Sequence, residues 1–150
     1  MESAYNETMF LLKKYNITAN KSLGQNFLID DDVINKTIES AEISNEDLVI
    51  EIGPGLGTLT CKLLEKAKKV IAIELDKKMI TILQDRFNLY SNFELINDDV
   101  LKVNLQELIK KEKKENAIKD VKIVANLPYY ITTPIIMKLL EDKLDIKSIT

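Results

Sequence analysis

An α/β domain, with a largely parallel sheet and helices on both faces, is the fold that this 150-residue sequence predicts. Three observations carry it. Short apolar runs alternate with amphipathic stretches of roughly 10–15 residues, the signature of βαβ units. A glycine-rich turn joins the first apolar run to the stretch after it, at residues 53–57. The next two apolar runs end in acids, Glu74 and then Asp98-Asp99.

The elements follow in order. Residues 3–15 predict an amphipathic helix with Met9, Phe10, Leu11 and Leu12 as its apolar side. A polar loop from 17 to 28 follows, where Gly24 permits a tight backbone. Asp30 or Asp31 can cap the next helix, in which Val33, Ile34, Thr37, Ile38 and Ala41 recur at helical spacing. Strands are predicted at 47–52, 70–74, 93–96 and 121–125. Between them lie helices at 56–68 (apolar face Leu56, Leu59, Leu63, Ala67), 77–87 (Met79, Ile80, Leu83, Phe87) and 105–113. A last helix is expected to open at Thr132-Thr133-Pro134, with a hydroxyl cap and Pro in its first turn, covering the sheet with Ile135, Ile136, Leu139 and Leu140. Residues 146–150 read as the opening of a fifth strand, so the sheet is expected to be truncated after its fourth to fifth strand and the sequence to be the front part of a longer protein. In such a sheet the fourth strand lies beside the first, which puts 121–125 at or next to an open edge.

Composition narrows the chemistry. The chain is 45% hydrophobic and 30% charged, the make-up of one ordinary globular domain. It has no His, which removes His triads, His metal sites and His general bases. The single Cys61 excludes an internal disulfide, points to a reducing compartment and reads as a packing residue. No apolar run approaches the ~18 residues of a membrane span, and a cytoplasmic protein is expected. The net charge of −3 does not advertise a nucleic-acid binder. Six lysines at 110, 111, 113, 114, 119 and 122 stand among Glu112, Glu115 and Asp120, and read as a solvated face.

Two stretches carry chemistry. The first is Glu51-Ile52-Gly53-Pro54-Gly55-Leu56-Gly57, at a strand–helix junction. Glycines let backbone approach a ligand, and a helix start presents free N–H groups. The spacing is G-x-G-x-G, one residue shorter than the dinucleotide fingerprint, and Pro54 lacks a donor that a pyrophosphate would use. Both features favour a nucleoside over a dinucleotide and disfavour an NAD-linked oxidoreductase. Glu74, about twenty residues on, is placed to accept from ribose hydroxyls. Asp98 and Asp99 end the third strand, where an adenine amine would lie.

The second stretch is Asn126-Leu127-Pro128-Tyr129-Tyr130, between the fourth strand and its helix. The Asn126 side-chain oxygen and the Leu127 carbonyl can both accept hydrogen bonds, which matches the two donors of an exocyclic amine. Pro128 stiffens the backbone, and Tyr129 offers a ring on which a base can stack. A turn with an Asn cap and two packed tyrosines would use the same residues.

Taken together, LGQNFL (23–28), EIGPGLG (51–57), IELD (73–76) and NLPYY (126–130) resemble the rRNA adenine dimethyltransferase family, from about residue 15 to the end. The form is closer to its housekeeping small-subunit (16S rRNA) branch than to the large-subunit (23S) methylases of macrolide resistance, which remain the alternative. The resemblance implies a Rossmann-like class I methyltransferase fold, S-adenosylmethionine as cofactor, S-adenosylhomocysteine as product, and dimethylation of adenine N6 in rRNA of the immature small subunit. It implies a cofactor pocket of Gln25, Asn26, Leu28, Glu51, Gly53, Gly55, Gly57, Glu74, Leu75, Asp99, Val100 and Asn126. Gly53 would lie against the methionine part, Glu74 would hold the ribose and Asp99 the adenine amine. It places Asn126, Leu127, Pro128 and Tyr129 at the target base, with no metal and a monomeric protein. It further implies a helix and loop over about 1–30, a core over about 31–150, and a following helical rRNA-docking domain absent from this sequence. A non-catalytic ribosome-assembly module that binds RNA is the second alternative.

Overall fold

The computed structural model describes residues 3–17, 30–125 and 129–150, and the side chains of the last segment from residue 133 onward. The five strands, β1 (Leu48–Ile52), β2 (Lys69–Glu74), β3 (Phe93–Asn97), β4 (Val121–Ala125) and β5 (Ser148–Ile149), form one parallel sheet in the order β3-β2-β1-β4-β5. The helices are α1 (Ala4–Lys14), α2 (Asp31–Ala41), α3 (Thr58–Lys66), α4 (Lys77–Phe87), α5 (Leu105–Asn116) and α6 (Tyr129–Glu141), with a 3₁₀ turn at Val100–Lys102. This is the expected Rossmann-like class I arrangement, with β4 one strand in from the edge.

Chirality explains which face each helix covers. Right-handed crossovers from β1 to β2 to β3 put α3 and α4 on one face; the reversal to β4 and β5 puts α5 and α6 on the other. The buried clusters divide accordingly. Ala4, Leu11, Ile34, Leu59, Leu63, Met79, Leu83 and Phe87 pack with Val49, Val70 and Val124. On the opposite face Leu105, Ile109, Ile135 and Leu139 pack with Leu48, Ile50, Ile71 and Ile123. Alternation along each strand sends successive side chains to opposite faces, so β1 is buried along its whole length.

The helix starts follow capping chemistry. Ser3, Asp30, Asp76 and Asn104 each accept a backbone N–H from the first turn of the helix they precede. Of the two candidate caps for α2, Asp30 serves, and Asp31 instead accepts from Ala4 N–H at 3.0 Å, tying α1 to α2.

Four expectations are corrected. In α1 only Leu11 of the run 9–12 is buried; Ala4 and Thr8 complete that face, while Met9 and Phe10 are exposed. Leu12 is half-buried and packs against the same cluster; four consecutive residues sweep roughly 300° of the helix, too wide for one apolar stripe. Helix α4 buries Ile82 as well as Met79, Leu83 and Phe87, and Ile80 is half-buried. Helix α6 starts at Tyr129, so Pro134 falls inside it and denies a bond to the carbonyl four residues back. It covers the sheet with Ile135 and Leu139, whereas Ile136 and Leu140 are exposed. Lys122 is not solvated: it is buried, pairs with Asp47 at 2.9 Å and donates to the Glu42 carbonyl. Among the other lysines of that run, Lys113 pairs with Asp145 and Lys119 lies 3.8 Å from Glu46. Among the described residues no helix is long and apolar enough to cross a membrane.

Candidate active site at the carboxyl ends of the strands

The strand order reverses between β1 and β4, which is where open α/β sheets bind ligands. Ile52 lies beside Ala125 in register, so the chain enters the glycine loop and the 126–128 segment from the same sheet edge.

All three loop glycines adopt positive φ: 69° at Gly53, 60° at Gly55 and 87° at Gly57. Two of them face opposite surroundings. A Cβ on Gly57 would stand 2.6 Å from a ring carbon of Phe87 and 3.0 Å from Leu83, so this glycine lets the loop lie against α4. A Cβ on Gly55 would meet nothing within 4 Å, so this glycine faces open space, the side from which a ligand can approach. Gly57 also caps α3 without a side-chain bond, and its N–H donates to the Pro54 carbonyl at 3.0 Å.

Glu74 ends β2 and is nearly buried. One carboxylate oxygen accepts the Gly55 N–H at 3.0 Å, the other the Asp76 N–H at 3.0 Å. Burial raises its pKa, and these two backbone bonds oppose the rise. Each oxygen keeps a second lone pair. Glu74 is therefore not a solvated strand-end acid but a carboxylate held against the glycine loop. Leu75 beside it is exposed.

Glu51 lies deeper. It projects from β1 under α3, 2% exposed, and accepts from the Thr60 hydroxyl. Burial pushes its pKa up to about 8; the Thr60 bond opposes this and the nearby Glu74 carboxylate adds to it. Burial favours its neutral form, and it does not present a charge at the surface.

At the end of β3, Asp98 is exposed and accepts the Asp99 N–H, while Asp99 caps the 3₁₀ turn by accepting Leu101 N–H at 3.0 Å. Val100 is buried with the α5–α6 side of the core. Sequence reasoning passed over Asn97. Its side-chain amide donates to the Glu74 carbonyl at 2.9 Å and the Leu75 carbonyl at 3.2 Å, fastening the end of β2 to the end of β3. An amide one residue before the acid pair is the only signal that could have drawn attention to it.

Gln25, Asn26, Leu28, Asn126, Leu127 and Pro128 lie outside the described residues, and Tyr129 is described only as the first residue of α6. Among the described residues, no group of three or more Cys, Asp or Glu is placed to hold a metal ion.

Comparison with known proteins bears on this arrangement. The family described as "Ribosomal RNA adenine dimethylase" matches residues 16–150. The chain belongs to that family. A curated relative from Clostridium botulinum (strain Okra / Type B1), named "Ribosomal RNA small subunit methyltransferase A", is 56% identical over 143 residues, 95% of this chain and 50% of its own. The chain thus spans about half the length of the curated relatives it matches. Among solved structures, a dimethyladenosine transferase from Plasmodium falciparum superposes with a TM-score of 0.64 at 34% identity, covering 79% of this chain and 40% of that one. The 23S rRNA methyltransferase ErmE superposes with a TM-score of 0.66 at 30% identity, covering 82% and 46%. The rRNA adenine dimethylase fold is therefore shared on both measures.

Proposed function

We propose that this chain is the cofactor-binding, catalytic portion of an S-adenosylmethionine-dependent enzyme that dimethylates adenine N6 in small-subunit rRNA. The observation that carries the reading is Glu74 held against Gly55, with open space over that glycine. A nucleoside fits there: the free lone pairs of Glu74 accept from ribose hydroxyls and the glycine backbone can approach the rest. Asp99 would take the adenine amine, with Leu75 exposed beside it. Val100 is buried, so its share is limited to its backbone or to supporting the turn. Glu51 would support the loop from beneath. Gln25, Asn26 and Leu28 complete the pocket by sequence alone.

The cofactor supplies a methyl group on a sulfonium, already activated for transfer. The protein's task is the nucleophile. Asn126 and the Leu127 carbonyl hold both N–H bonds of the exocyclic amine and favour a more pyramidal nitrogen. They bind more tightly as positive charge develops there, which lowers the barrier selectively. Holding the amine in line with the methyl supplies much of the remaining rate. Tyr129 receives the flipped base; stacking returns about 1–3 kcal/mol of the cost of extruding it.

The small-subunit substrate is supported by the 56% identity to a small-subunit relative, against 30% to the 23S enzyme. In this reading residues 1–30 lead into a core over 31–150, a helical rRNA-docking portion follows, and the partner is an immature subunit met by a monomer. The test is transfer of labelled methyl from S-adenosylmethionine to immature small subunits by a protein carrying this chain and the second half found in its relatives. Dimethyladenosine should form, and Asn126→Ala should abolish it while the fold survives. Near-normal turnover by that variant would overturn the mechanism.

A further inference from the structure

The glycine loop is held from behind as well as from the ligand side. The last turn of α4 supplies this backing. Phe87 and Leu83 meet Gly57, and the Arg86 guanidinium donates to the carbonyl of Leu56, the loop residue between Gly55 and Gly57. Arg86 also lies over the Phe87 ring, 5.0 Å from its centre. Its second arm donates to the carboxylate of Glu7 on α1. Both partners are largely shielded, with side-chain exposures of 14% and 24%. Each bond is thus charge-assisted in partly dehydrated surroundings, the setting in which such bonds are strong. A second polar tie joins the same two helices, since the Tyr15 hydroxyl at the end of α1 donates to Asp85. Asp31 holds the start of α1.

We infer that Arg86 is a positioning residue for the cofactor loop, and that by gripping both the Leu56 carbonyl and Glu7 it couples ligand occupancy of the loop to the docking of α1. The inference rests on the nucleoside reading of the loop. Its physical content is geometric. A guanidinium has five donors in a fixed fork, so one group serves two acceptors at a fixed separation. A lysine offers one nitrogen on a flexible stem and cannot hold the two acceptors at that fixed separation. Movement of α1 therefore displaces the fork, and the fork displaces the carbonyl next to the ligand-facing Gly55. Coupling of this kind is reciprocal: a ligand that orders the loop must also hold α1 down.

The experiment is calorimetric binding of S-adenosylhomocysteine to the chain and to Arg86→Met, Arg86→Lys, Glu7→Gln and the Arg86→Met/Glu7→Gln double variant. Alongside it, amide exchange over residues 4–14 is measured with and without the ligand. Arg86→Met should weaken binding by about tenfold or more, the scale for losing a charge-assisted bond. Arg86→Lys should recover part of the loss, and Glu7→Gln should cost a few-fold. The double variant should bind no worse than Arg86→Met alone, because both changes break one linkage. Ligand should slow exchange in α1 of the unaltered chain and not in Arg86→Met. Glu7→Gln and Arg86→Lys keep the test open if Arg86→Met does not fold. Full affinity in the Arg86 variants alongside a lowered melting temperature would reduce Arg86 to a structural pin. Exchange in α1 that ignores the ligand would overturn the coupling. An unaltered chain that does not bind at all would instead overturn the nucleoside reading beneath it.

Discussion

The two sides of the sheet's switch point are built differently. On the β1–β2–β3 side, nearly every site group has a second anchor. Glu74 is bonded to the loop, Asn97 bonds the end of β2, Gly57 is wedged on Phe87, and Arg86 holds Leu56. On the β4–α6 side, among the described residues, α6 carries an internal Pro134 and leaves Ile136, Met137 and Leu140 exposed. The cofactor side is over-determined by many weak, cooperating contacts. Among the described residues, the other side is held by burial of Ile135 and Leu139 on α6 and of Val121, Ile123 and Val124 on β4. Stability that is uneven in this way is usual where one region must hold still and another must admit a substrate.

The first prediction tests the interior of the rigid side. Glu51 has a folded pKa of about 8 against 4.5 when unfolded. A raised acid favours folding below its unfolded pKa and loses that contribution as pH rises to the folded one. Between about pH 4.5 and 8 its contribution should fall by several kcal/mol. Urea melts of Glu51→Gln against the unaltered chain should diverge across that window, with the variant flatter. Parallel pH profiles would mean that Glu51 is not held neutral beneath the loop.

Within the loop, the glycines should separate two kinds of damage. Gly57→Ala forces a methyl into Phe87 at a positive φ and should cost roughly 2–5 kcal/mol of stability. Gly55→Ala faces open space, so it should cost only the strain of its backbone, about 1–2 kcal/mol, while losing most cofactor affinity. Equal losses of stability would show that the loop does not have distinct packed and ligand-facing sides.

The contrast sharpens on α6. Leu139 is 3% exposed and Leu140 is 64% exposed. Leu139→Ala should cost about 2–4 kcal/mol by denaturant melts, and Leu140→Ala should stay within about 0.5 kcal/mol. A large cost at Leu140 would mean that this face is covered and that α6 is held on both sides.

Much of this was legible in sequence because it is local. The β1–glycine–α3 junction, the β2 acid and the cap at Asp30 follow from turn chemistry and spacing. The N-terminal run 9–12 misled because four consecutive apolar residues do not say which one faces inward; Thr8 and Ala4, about one and two turns before Leu11, decide it. The start of α6 misled because Pro134 suits a first turn so well, yet the helix begins just after Pro128. Arg86 carries no local signal, and Asn97 only that of an amide beside the acid pair. Their partners are 30 and 79 residues away in one case and 22 and 23 in the other. Each looks like a solvated polar residue until the sheet closes. Lys122 differs from the lysines before it in standing within the strand run 121–125, but its partner Asp47, just before β1, shows only once β4 lies beside β1.

Glu74 is fastened to the glycine loop, and in the proposed function its carboxylate faces the ligand. Calorimetric titration of S-adenosylhomocysteine into the chain and into Glu74→Ala tests it most directly. The chain should bind and its thermal midpoint should rise with ligand by mass action, while Glu74→Ala should lose about 1–3 kcal/mol of binding free energy. A Glu74→Ala variant that is folded and binds with undiminished affinity would contradict the account.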